Sequence, residues 1–143
     1  MTALVLTTDL SEESKRAFGP ACELARGLGL PVLLLGVVVD LPFEPVAGGL
    51  AASYPDREQI VADWRQQVGE VAAGLGPDVT AHVVEGADVP LAICRFAGKH
   101  DAQFICMATH GRSGLARLLI GSVAEAVLRQ SKIPVLAIPP PGE

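Results

Sequence analysis

Five short apolar runs punctuate the chain: Leu4–Thr8, Pro31–Val39, Val79–Val84, Phe104–Thr109 and Pro134–Ile138. Each is rich in Val, Leu or Ile and bounded by polar or turn residues, the pattern of strands buried on both faces. Between them apolar residues recur at helical spacing. Ser11 is placed to cap a first helix, with Glu12 and Glu13 in its opening turn and Phe18, Ala21, Cys22, Ala25 and Leu28 along one face. Pro20 falls inside that pattern and predicts a kink or a locally broken turn. Ile60, Trp64, Val68, Val71 and Leu75 make a second apolar face, ended by Gly74, Gly76 and Pro77. Asp88 is a cap for a third helix, with Pro90 near its start and Ile93, Phe96 and Ala97 inward. The stretch Ser122-Val-Ala-Glu125 has the form of a capping box, opening a fourth helix through Val127 and Leu128.

The predicted order is therefore strand and helix in strict alternation, beginning and ending on a strand. Right-handed crossovers turn that order into an α/β fold: a single doubly wound, five-stranded parallel sheet with helices on both faces, Rossmann-like in architecture. All 143 residues are expected to form one domain. Ligands in such sheets bind beyond the carboxyl ends of the strands, where the strand order reverses. Attention falls on three strand ends: Thr7-Thr8-Asp9, Val37-Val38-Val39-Asp40 and Met107-Ala108-Thr109-His110-Gly111. Leu41–Tyr54 reads as the one long irregular loop, a flap or a disordered stretch. No internal repeat is visible.

Composition narrows the function classes. Hydrophobic residues make up 50% and charged residues 19% of the chain, which fits a packed fold and not a disordered one. A net charge of −5 argues against general binding to nucleic acid, which needs a basic surface. The longest apolar stretch, Gly27 to Val39, is broken by Pro31 and stopped by Asp40, so no membrane span is expected. Met1 leads at once into a strand-like run without a basic leader, so a cytoplasmic protein is expected. Cys22, Cys94 and Cys106 lie far apart with no metal spacing and read as small buried residues in a reducing compartment.

The richest constellation runs from Met107 to Glu125: a strand end, a loop bearing Gly111, Arg112 and Gly114, and a helix start at Gly121-Ser122-Val123. Free amides at Gly121, Ser122 and Val123 would face an anion there, favoured by the helix dipole. Gly111 would let backbone approach a phosphate, and Arg112 would add charge. Read as structure alone, the glycines only make turns and Ser122 only caps its helix. Ser122 is placed to do both.

These residues resemble the universal stress protein family. Its nucleotide-binding members carry Gly, two residues, Gly, nine residues, then Gly-Ser or Gly-Thr. Gly111, nine residues, Gly121 and Ser122 match the later part, and Ala108 stands in place of the first glycine. The opening Leu4-Val-Leu-Thr-Thr-Asp9 and Ser11-Glu-Glu-Ser14 are also similar, although Thr7 stands where proline is common. The resemblance covers almost the whole chain and implies the adenine-nucleotide alpha-hydrolase-like variant of the fold. It also implies ATP held across the switch point, with Mg²⁺ bridging the phosphates. By the same resemblance Asp9 meets the ribose, and backbone at Val37 or Val38 meets the adenine. Gly111, Arg112, Gly121, Ser122 and Val123 cradle the phosphates, with Thr8, Met107 and Ala108 completing the ATP site.

Other chemistry has weaker support. Gly27-Leu28-Gly29 lacks a third glycine and precedes a strand, so it fails as a dinucleotide fingerprint. Ser113 has Leu115 where a nucleophile elbow requires glycine. His82, His100 and His110 are scattered along the sequence, so no metal site is expected, and His110 alone is placed to touch a phosphate. Trp64 reads as part of an ordinary amphipathic helix. No water-positioning acid or lysine accompanies the glycine loop, so regulation outranks catalysis, with slow ATP hydrolysis or a nucleotide-free interaction module as alternatives. Pro134-Val-Leu-Ala-Ile138, predicted at a sheet edge and followed by Pro139 to Pro141, is expected to pair with a second copy as a homodimer.

Overall fold

The computed structural model describes residues 2–39, 56–110 and 120–140. The loop expected over 41–54, together with Gly111, Arg112 and Pro141, lies outside the described residues. Five strands form one sheet: β1 (Ala3–Thr8), β2 (Val32–Val39), β3 (Val79–Gly86), β4 (Ala102–Ala108) and β5 (Val135–Ile138). Four helices alternate with them: α1 (Phe18–Leu28), α2 (Arg57–Leu75), α3 (Val89–Lys99) and α4 (Ser122–Gln130). The strand order is β3-β2-β1-β4-β5 and every pairing is parallel. The order reverses between β1 and β4, as alternation with right-handed crossovers requires.

Period-two alternation splits the core between the two faces of this sheet. Leu4, Leu6 and Leu34 point to one face and pack with Ala21 and Ala25 of α1 and Val68 and Ala72 of α2. Val5, Leu35 and Ile105 point to the other and pack with Ile93, Phe96 and Ala97 of α3 and Ala124 and Val127 of α4. Leu4, Val5 and Leu6 are consecutive and all fully buried, which is why the strand reads as an unbroken apolar run. Truncating a leucine at such a position costs about 2–5 kcal/mol.

Two local expectations change. The first helix does not open at Ser11; a short 3₁₀ turn spans Ser14–Ala17 and α1 follows from Phe18. Pro20 has no N–H to bond back along a regular helix, and the broken turn expected around it takes the form of this 3₁₀-to-α switch just upstream. Ser11 still serves the turn, its hydroxyl accepting from the Ser14 amide at 3.2 Å. At α4 the cap is Gly121 and not Ser122, and Glu125 pairs with Arg129 one turn on instead of reaching back. The capping box is therefore not formed. Along α4 Val127 is fully buried and Leu128 is 44% exposed. The cap at α3 is as the sequence predicts: Asp88 accepts from the Leu91 amide at 3.1 Å, with Pro90 in the first turn.

Of the cysteines only Cys106 is fully buried; Cys22 and Cys94 are half-buried. Burial pushes the Cys106 thiol up to about 11, so it stays protonated at neutral pH. His82 and His100 are not scattered in space: their rings lie 5.8 Å apart around Phe96, which stacks on His100 at 4.0 Å. No group of three or more His, Cys, Asp or Glu placed to hold a metal occurs among the described residues. None of the described helices is long and apolar enough to cross a membrane.

Candidate functional site

Where β1 and β4 part, the crest of the sheet opens into a cleft of about 330 Å³. Thr7, Thr8 and Asp9 reach it from the end of β1, and Met107 and Ala108 from the end of β4. Gly121, Ser122 and Val123 reach it from the start of α4. Leu35 and Val37 of β2 and Ile93 of α3 supply an apolar wall. The topology alone causes this convergence, because parallel strands put all their carboxyl ends on one side.

The start of α4 has an unusual cap. Gly121 has no side chain to accept from the first-turn amides, and its own N–H donates to the Thr109 carbonyl at 2.5 Å. The Gly121 amide, expected free, is therefore engaged. The first helical bond runs from the Glu125 amide to the Gly121 carbonyl. This leaves the amides of Ser122, Val123 and Ala124 without a partner among the described residues, at the positive end of a nine-residue helix bordering the cleft. The Ser122 hydroxyl, released from capping, is likewise unpaired among the described residues. Such a set of donors is suited to an anion.

Gly121 is fixed by sterics. A Cβ at this position would stand 2.7 Å from the Thr109 carbonyl oxygen, closer than any real side chain approaches. Ala108, by contrast, has no positive φ, so its methyl group is accommodated by ordinary strand backbone. Only Leu10, at φ 66°, and Asp101 take up left-handed backbone among the described non-glycine residues.

The turn after β1 is tied tightly. The Asp9 carboxylate accepts from the Ser11 amide at 2.9 Å and from the Ser11 hydroxyl. Thr8 and Ser14 share a buried hydroxyl bond of 2.9 Å, and Thr8 also accepts from the Leu10 amide. Asp9 therefore holds the turn and lines the cleft at once. His110 borders the same space, its Nδ1 2.8 Å from the Thr109 hydroxyl.

Most of the residues singled out in the sequence converge here. Val38 is buried on the opposite face from Val37 and Val39, both of which line the cleft. Gly111 and Arg112 lie outside the described residues. Trp64, read as an ordinary helix residue, lines the cleft, as do Ser14, Val89 and Ile93. Ser14 stood in the sequence only as part of the opening Ser11-Glu-Glu-Ser14 that resembles the family. Trp64 and Ile93 were placed on apolar helix faces, because cleft-facing and core-facing apolar residues share one stripe, and Val89 was not singled out.

The family model for the universal stress protein family matches residues 1–139. The chain belongs to this family. A universal stress protein of Methanocaldococcus jannaschii is 31% identical over 140 residues, covering 96% of this chain and 82% of that protein. Among solved structures, a universal stress protein from Archaeoglobus fulgidus aligns with a TM-score of 0.71 at 25% identity, covering 96% of this chain and 98% of that one. A universal stress protein solved in complex with cAMP aligns with a TM-score of 0.64 at 26% identity, covering 96% and 95%. The doubly wound α/β fold described above thus matches that of solved universal stress proteins.

Proposed function

We propose that the chain binds an adenine nucleotide, ATP in its working form, across the crest of the sheet as the ligand of a cytoplasmic stress-response regulator. The observation that carries this is the uncapped start of α4, whose open amides border the cleft exactly where the strand order reverses. The phosphates lie at Ser122 and Val123, with Gly111 and Arg112 contributing from the preceding loop. Asp9 takes the ribose hydroxyls, and the base meets β2 at Val37, which lines the cleft, or at the backbone of Val38. Thr8, Met107 and Ala108 form the floor between them. The cAMP complex of a family member supports an adenine ligand over other anions.

Mg²⁺ belongs to the nucleotide in this scheme. Asp9 is the cleft's single carboxylate among the described lining residues, and it already holds Ser11. One carboxylate cannot cage a hard cation, so Mg²⁺ would be held through the phosphates and retained water. Calorimetric titration with Mg-ATP, AMP and cAMP tests the assignment. Saturable heat with each is expected, and no heat at millimolar ligand would sink it.

A further inference from the structure

Trp64 occupies a place that neither the phosphate end nor the apolar wall explains. It comes from α2, on the opposite sheet face from Leu35, Val37 and Ile93, yet borders the same cleft. It gets there because β2 has a glycine beneath it. A Cβ at Gly36 would stand 3.0 Å from Cε3 and 3.2 Å from Cζ3 of the indole, and 3.1 Å from Val68. The six-membered ring is therefore seated against the bare backbone of β2, and Val68 below it is fully buried. The indole N–H, on the far side of the ring system from Cε3, has no partner among the described residues. A half-buried tryptophan with a held ring and an unpaired donor is a contact surface as well as a packing element.

Its position along the crest matters. The phosphate donors stand at the start of α4, tied beside the end of β4 by the Gly121–Thr109 bond, and β2 lies two strands from β4, about 10 Å at ordinary strand spacing. That span suits the reach from a nucleotide's phosphate to its base. An aromatic plane at the base end favours the larger ring system, since stacking grows with overlap.

We propose that Trp64 is a specificity-determining residue that makes one wall of the base pocket and selects purine over pyrimidine nucleotides. This rests on the nucleotide reading above. Gly36 is its positioning residue, since any side chain there would push the indole off the strand.

The chain has one tryptophan, so its emission reports on this position alone. AMP should quench or shift that emission with the same midpoint as the calorimetric heat, while CMP binds more weakly. Trp64→Leu should weaken AMP about tenfold and leave CMP nearly unchanged, collapsing the preference. Trp64→Phe should restore most of it. Gly36→Ala should reduce the preference while circular dichroism and melting confirm the fold, which separates this role from mere packing. AMP heat with unchanged tryptophan emission, or an intact purine preference in Trp64→Leu, overturns the inference and leaves the nucleotide site standing. No heat with any nucleotide overturns both.

Discussion

At position 121 a single methyl group separates tolerance from conflict, because the Thr109 carbonyl stands where an alanine Cβ would go. The Gly121 amide is also the donor to that same carbonyl, so relieving the clash means giving up the bond. Gly121→Ala should cost about 1–3 kcal/mol, as other forced insertions into close packing do. Melting should fall by several degrees, and nucleotide affinity should fall with it as the α4 amides move. Ser122→Ala should behave differently. Its hydroxyl makes no cap, so stability should stay within about 0.5 kcal/mol of wild type. Affinity for ATP should drop roughly tenfold, the scale of one hydrogen bond to a charged group. A melting loss near the ~1 kcal/mol of a lost cap would mean that the hydroxyl caps α4 in solution.

Among the elements, β3 and α3 meet through rings rather than through aliphatic packing alone. His82 on β3 packs against the Phe96–His100 stack at the end of α3, with ring separations of 5.3 Å and 5.8 Å. Arg95, Lys99, Glu85 and Asp88 line the same groove. Burial first, and the neighbouring His100 second, hold the His82 imidazole below its ordinary pKa. The unfolded chain therefore takes up a proton at higher pH than the folded one. Stability from this group is complete above the ordinary histidine pKa of about 6.5 and is lost as pH falls through the lowered value. Denaturant midpoints should decline from pH 7 to pH 5, and His82→Phe should flatten that slope. These contacts also show where the sequence stopped being legible. The alternation of strands and helices, the parallel sheet covered on both faces and the Asp88 cap follow from local periodicity and side-chain chemistry. The His82–His100 approach, the Thr109–Gly121 bond and the entry of Trp64 into the cleft all join distant elements. They depend on helix placement over the sheet, which no local pattern encodes.

For the whole molecule the open question of assembly comes down to the last strand. Among the described residues β5 pairs only with β4 and so forms one edge of the sheet. Its residues are apolar, Leu136 is 36% exposed, and the neighbouring α4 leaves Leu128 44% exposed. An apolar edge of this kind invites pairing unless something covers it. Pro134 precedes the strand and Pro139 and Pro140 follow it, so the ladder cannot run on in either direction. What remains is a four-residue segment, Val135–Ile138, of fixed length. A short segment bounded on both sides suits antiparallel pairing with its own copy about a two-fold axis, which closes on itself and leaves no further edge at that side. We therefore expect a homodimer. Light scattering at micromolar concentration should give about twice the 14.9 kDa of one chain. Leu136→Lys places a charge at the proposed seam while its exposed position spares the core, so it should shift the mass to a single chain without lowering the monomer's melting temperature. A wild-type mass of one chain would show that the flanking prolines alone protect this edge.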